Sequence, residues 1–154
     1  VVLFLLNFQT NSMIAEKSIF LVDDDPTFIF LTKKLILNTK IAAKINEFSD
    51  GQQALDFLTD NLEAQDQYPD LIFLDLSMPI VDGWDFLNEY LLIEKLINKK
   101  IKLFIVSSSI SPHDIERAKN YKIVADFIIK PILKEKFLEI IENLCQDDST
   151  SGMA

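Results

Sequence analysis

The chain has 154 residues, a formal charge of −9 and a hydrophobic content of 49%, which fits one compact domain around a single core rather than a disordered chain. The acidic balance argues against a basic nucleic-acid surface, because phosphate contacts need clustered Lys and Arg. One cysteine (Cys145) and one histidine (His113) exclude an internal disulfide, a thiolate cluster and a multi-histidine metal site.

The opening run of residues 1–6 is apolar but too short to cross a bilayer. No basic residue precedes it, so neither a signal peptide nor a membrane anchor is expected. Residues 1–12 read as an upstream extension before Met13, residues 13–146 as the domain, and residues 147–154 as a polar, disordered tail.

Residues 19–22 (Ile-Phe-Leu-Val) are a continuous apolar run, the pattern of a strand buried on both faces. Asp23-Asp24-Asp25-Pro26 closes it. Pro26 suits a first helical position and Asp25 the N-cap before it. That leaves Asp23 and Asp24 without a structural reason. The helix that follows is expected to run to about Asn38 with Phe28, Leu31 and Leu35 along its core face. Residues 41–48 form a weaker strand whose polar Lys44, Asn46 and Glu47 suggest an exposed place in the sheet. Ser49-Asp50-Gly51 is a turn, and Leu55, Leu58 and Leu62 mark a second helix.

Residues 71–74 (Leu-Ile-Phe-Leu) are the most apolar strand candidate. They end on Asp75, and Pro79 forbids the strand from continuing far beyond it. A carboxylate at the lip of a core needs compensation. Asp82-Gly83 then opens a helix with Trp84, Leu87 and Leu91 on one stripe. Residues 103–106 are the next strand and end in Ser107-Ser108-Ser109. Ser111-Pro112 begins a short helix, with His113 facing solvent in its first turn. Residues 127–129 form the last strand, ending at Lys130-Pro131, and Phe137, Ile140, Ile141 and Leu144 define the closing helix, where Cys145 is expected as a packing residue.

Alternation of strands and helices implies an α/β fold with a parallel sheet and right-handed crossovers. Loops that follow parallel strands emerge on one sheet edge. Asp23, Asp24, Asp75, Ser107 and Lys130 each close a strand and should therefore meet there. Each has a plain structural reading alone: a turn acid, a loop hydroxyl, a solvated lysine. Three carboxylates together are harder to explain. Two of them about 4 Å apart repel by roughly 1 kcal/mol in water and about 4 kcal/mol at an effective dielectric near 20, so such a cluster calls for a cation.

With these blocks in hand, the chain resembles the receiver domains of two-component response regulators over about residues 17–145. The resemblance rests on Phe20-Leu21-Val22-Asp23-Asp24-Asp25-Pro26, on Leu74-Asp75-Leu76-Ser77-Met78-Pro79 with Asp82-Gly83, on Ile105-Val106-Ser107-Ser108 and on Ile129-Lys130-Pro131. It implies a doubly wound, five-stranded, flavodoxin-like parallel sheet in the order 2-1-3-4-5. It also implies that Asp75 is the phospho-acceptor and that Asp23, Asp24, Asp75 and the backbone carbonyl of Ser77 hold magnesium. Lys130 would pair with Asp75 or the phosphoryl group, Ser107 would donate to a phosphoryl oxygen, and a cis Lys130-Pro131 bond would follow. Ser107 and Phe127 would be the switch residues, with Phe127 standing where receivers often have Tyr. Ser77 and Ser109 occupy positions that tune the lifetime of the phosphoryl group.

The implied function is a stand-alone cytoplasmic receiver. It would be phosphorylated by a sensor histidine kinase or histidine phosphotransfer protein and would signal to another protein, through the fourth and fifth helices and fifth strand. Homodimerisation is compatible with this, and no nucleic-acid or membrane partner is expected. It would be no enzyme beyond its own phosphorylation and dephosphorylation. A receiver-like binding module that is never phosphorylated is the alternative. An aspartate-nucleophile phosphatase would need a second Asp where Ser77 stands, and a flavin carrier would need a hydroxyl-rich phosphate loop where three aspartates stand.

Overall fold

The computed structural model describes residues 16–151. Five parallel strands, β1 (Lys17–Val22), β2 (Ala43–Phe48), β3 (Leu71–Leu74), β4 (Lys102–Ser107) and β5 (Val124–Ile129), alternate with five helices, α1 (Pro26–Asn38), α2 (Gly51–Asp60), α3 (Gly83–Ile93), α4 (Pro112–Lys119) and α5 (Lys134–Ser151). The sheet order is β2-β1-β3-β4-β5, the doubly wound flavodoxin-like arrangement. β2 is an edge strand, as its polar residues suggest. β3 sits at the centre, and its four residues are all buried.

Strand alternation sorts the core into two layers. Phe20, Val22, Ile72, Leu74, Leu103 and Ile105 face α2 and α3. Ile19, Leu21, Leu71, Phe73, Phe104 and Val106 face α1 and α5. Reversal of the strand order between β1 and β3 opens the crevice at their C-terminal ends where sites in this fold class form. The register places Val22 opposite Leu74, so Asp23 and Asp75 leave the sheet side by side. Lys130-Pro131 is cis.

Three expectations change. Leu31 is not on the core face of α1: it is 54% exposed, and Phe28, Thr32 and Ile36 are the residues buried. The i, i+4, i+8 register that starts at Phe28 also buries a threonine, and a purely apolar stripe search passes over it. On α3 the buried set is Gly83, Phe86, Leu87 and Tyr90, while Leu91 points outward, again because apolar residues occur on both faces. Finally, α5 continues to Ser151 rather than giving way to a disordered tail at residue 147. Asp147 pairs with Lys102 at 2.7 Å and Lys100 at 3.5 Å, which ties the last turns to β4 and holds the Asp147 carboxyl below its ordinary value. The extension of residues 1–12 lies outside the described residues.

Candidate functional site

Asp23 follows β1 and is almost wholly buried. Its backbone N–H donates to the Phe48 carbonyl at 2.9 Å, which ties it to the end of β2. Its Oδ1 accepts from the Asp25 N–H at 2.9 Å, while Asp25 caps α1 by accepting from the Thr27 N–H. Asp24 stands between them, exposed. Asp25 thus has the structural role that its position before Pro26 predicts. Asp23 and Asp24 are left for other work.

Asp75 extends β3 by one residue, its N–H donating to the Val22 carbonyl at 2.9 Å, and is nearly buried. The loop after it folds back at once. The Gly83 N–H donates to the Leu76 carbonyl at 3.0 Å and the Gly51 N–H to the Val81 carbonyl at 3.0 Å. A Cβ at Gly83 would run into the Asp75 carbonyl and the Leu76 Cα, so only glycine lets α3 start so close beneath the acid. Ser77 lies exposed in this loop, two residues after Asp75.

Ser107 ends β4, and its carbonyl accepts from the Lys130 N–H at 2.9 Å, placing these two residues next to each other on the same edge. Ser107 is buried, Ser108 exposed and Ser109 between the two. The Ser107 Oγ accepts from the Ser109 N–H at 3.1 Å. Phe127 is half-buried against the α2–α3 side of the sheet, opposite Ile105.

Lys130 Nζ lies 2.7 Å from Asp23 Oδ2 and 3.6 Å from Asp75 Oδ1, so its nearer partner is Asp23, where Asp75 is the expected one. The Asp23 contact is an ion pair without the alignment of a hydrogen bond, and it leaves Asp23 Oδ2 buried with no hydrogen-bond partner. The ammonium also rests 4.4 Å from the centre of the Phe28 ring, a cation–π seat that helps hold the chain in place. Phe28 reads in sequence only as a core residue of α1; nothing in its spacing announces the contact with Lys130.

Carboxylate oxygens from Asp23, Asp24 and Asp75 lie within 4.8 Å of one another. Burial pushes the Asp75 carboxyl up from 3.8 to about 6; the Asp23 charge adds to this, and Lys130 pulls the other way. Asp23 is also raised, chiefly by burial and against the pull of Lys130. One lysine therefore does not neutralise the cluster. A buried carboxylate oxygen without a hydrogen bond, next to two more carboxylates, is a donor set that suits a hard, oxygen-seeking divalent cation. The residues present fit such an ion.

Residues 19–142 match the response regulator receiver domain, and the chain belongs to that family. "Probable methanogenesis regulatory protein FilR2" of Methanothrix harundinacea is 28% identical over 126 residues, which are 82% of this chain and 79% of FilR2. The nitrate/nitrite response regulator NarL of Escherichia coli K12 is 31% identical over 125 residues, 80% of this chain and 52% of NarL, so the chain spans about half the length of that relative. A response regulator from Cytophaga hutchinsonii superposes with a TM-score of 0.75 at 25% identity, covering 86% of this chain and 99% of that one. The phosphorylated cyanobacterial phytochrome response regulator RcpA gives a TM-score of 0.66 at 30% identity, with 84% and 91% covered. The Mn2+-bound form of the response regulator Rcp1 gives 0.65 at 27%, with 80% and 88% covered. Among the described residues no helix is long and apolar enough to cross a membrane.

Proposed function

We propose that this receiver is a magnesium-dependent phosphorylation switch whose acceptor is Asp75. The observation that carries this reading is the meeting of three carboxylates and Lys130 at the C-terminal ends of β1, β3 and β5. Asp23, Asp24, Asp75 and the Ser77 backbone carbonyl would hold the ion, which supplies charge neutralisation between the acids and an incoming phosphoryl group. Asp75, with its carboxyl at about 6, is ionised at neutral pH and serves as the nucleophile. One of its oxygens attacks the phosphorus of a phosphohistidine in line. The O–P bond forms as the P–N bond breaks, and the imidazole nitrogen leaves with the electron pair and takes a proton from solvent. Lys130, held between Asp23 and Asp75, lies close enough to pair with a phosphoryl oxygen, and the Ser107 hydroxyl donates to another.

The donor is a sensor histidine kinase or a histidine phosphotransfer protein in the cytoplasm. The output is phosphorylation-dependent binding of another protein, with Ser107 and Phe127 as the residues that respond. The phosphorylated state named for RcpA supports the phosphoacceptor reading by likeness, and the Mn2+ named for Rcp1 supports a divalent ion at the acid cluster.

Intact-mass analysis after incubation with acetyl phosphate and magnesium tests the proposal. One phosphoryl adduct is expected, absent with EDTA and absent in Asp75→Asn. A folded protein that takes no adduct from acetyl phosphate or from a panel of histidine kinases favours the binding-module alternative.

A further inference from the structure

Phe28 is placed by the same few bonds that place the acids. Asp23 Oδ1 accepts from the Asp25 N–H, Asp25 caps α1 through the Thr27 N–H, and the Ile29 N–H donates to the Asp25 carbonyl at 3.1 Å. Phe28 therefore stands in the first turn of α1. Helical side chains lean toward the helix N-terminus, and here that direction carries the ring toward the sheet edge where β1 and β5 end. Phe28 is buried and belongs to the core layer of Ile19, Leu21 and Phe137. Leucine or methionine could fill such a place by volume. What an aromatic ring adds is a face of negative potential.

That face is used. The Lys130 ammonium lies 4.4 Å from the ring centre, with Asp23 Oδ2 at 2.7 Å and Asp75 Oδ1 at 3.6 Å. The Lys130 side chain is only 14% exposed, and cation–π attraction is strongest where water is excluded. A lysine stem is flexible and its ammonium is a point charge without a fixed fork, so its surroundings decide where the charge sits.

We infer that Phe28 is a positioning residue: its ring holds the Lys130 ammonium beside Asp75, ready for the incoming phosphoryl group. The inference rests on the phosphoacceptor reading above. Both carboxylates change when the site is used. Asp23 belongs to the set that would hold the ion, and Asp75 becomes an acyl phosphate. Each then attracts the ammonium less than it does at rest. The ring neither titrates nor takes part in the reaction, so its hold is the same before and after. A charge kept in place in this way needs no reorganisation as the phosphoryl group arrives.

Site-specific replacement of Phe28 by mono-, di- and trifluorinated phenylalanine in the full chain tests this, because fluorine drains the negative face and leaves the ring shape almost unchanged. The rate of adduct formation with acetyl phosphate and magnesium, read by intact mass, should fall stepwise to about three- to ten-fold below wild type, the scale of a partly desolvated cation–π contact. Phe28→Leu should match the trifluorinated ring. Urea midpoints in EDTA should fall along the same series, although fluorination makes the ring more apolar, and in Lys130→Met they should not fall. Proton NMR of the resting protein should show the Lys130 ε-methylene shifted upfield by the ring, with the shift gone in Phe28→Leu. A missing upfield shift, or midpoints that hold or rise along the series with Lys130 present, overturns the seat. Falling midpoints with an unchanged phosphorylation rate overturn the positioning role and leave the phosphoacceptor reading standing. Absence of any adduct in the wild type removes that reading and the positioning role together, while the midpoints still decide whether the ring holds the ammonium.

Discussion

Asp75→Asn should make the metal-free protein more stable at neutral pH. In the fold the Asp75 carboxyl titrates at about 6 against an ordinary 3.8, mainly through burial and the neighbouring Asp23 charge. At about 1.36 kcal/mol per pH unit, keeping it ionised costs the folded state about 3 kcal/mol. The sign follows from proton uptake: between pH 4 and 6 the folded state binds more protons than the unfolded chain, so stability falls as pH rises through that window. The full benefit of the neutral acid is present below pH 4 and gone above about pH 6. Asparagine keeps the shape and removes the charge, and Lys130 retains its 2.7 Å contact with Asp23. Urea unfolding in EDTA, followed by Trp84 fluorescence, should show the variant more stable by about 1–3 kcal/mol at pH 7.5, with the gain vanishing near pH 4. Magnesium should narrow the gap by stabilising the wild type. A variant that is less stable at pH 7.5, or equally favoured at both pH values, would falsify the assignment of electrostatic strain to Asp75.

Lys130→Ala withdraws the cation from two buried carboxylates and should cost about 3 kcal/mol in the same assay, with part of the loss recovered by magnesium; an unchanged midpoint would mean that solvent already screens the cluster. Gly83→Ala puts a methyl against the Asp75 carbonyl and should cost about 1–3 kcal/mol. It should also lower the phosphorylation yield in the intact-mass assay, and a variant matching wild type in both would show that the α3 start has slack. Ile80 is a β-branched residue at φ 66 with 82% of its surface exposed, so Ile80→Asn should stabilise the fold by about 0.5–1 kcal/mol because Asn tolerates the left-handed region. A loss of stability there would reveal packing that its exposure does not suggest.

Much of this protein is determined by sequence alone. Runs such as residues 71–74 must be buried on both faces because no polar side chain interrupts them, Asp25 caps the helix that Pro26 opens, and Pro112 presets the first turn of α4. Once the strands are parallel, their C-terminal ends share an edge, so Asp23, Asp24, Asp75, Ser107 and Lys130 were bound to gather there.

Tertiary structure alone decided the rest, because contact partners across the sheet are not local. It pairs Lys130 with Asp23 more closely than with Asp75 and seats it on Phe28. It turns Leu31 and Leu91 outward, since helices with apolar residues on both faces leave the buried side to be chosen by the sheet they meet. It carries α5 to Ser151 through Asp147, Lys100 and Lys102, an ion-pair set drawn from segments far apart in the chain. It also brings Arg117 onto Trp84. Local pattern reports on neighbours three or four residues away, whereas these contacts join residues more than ten apart and exist only once the chain has closed around its sheet.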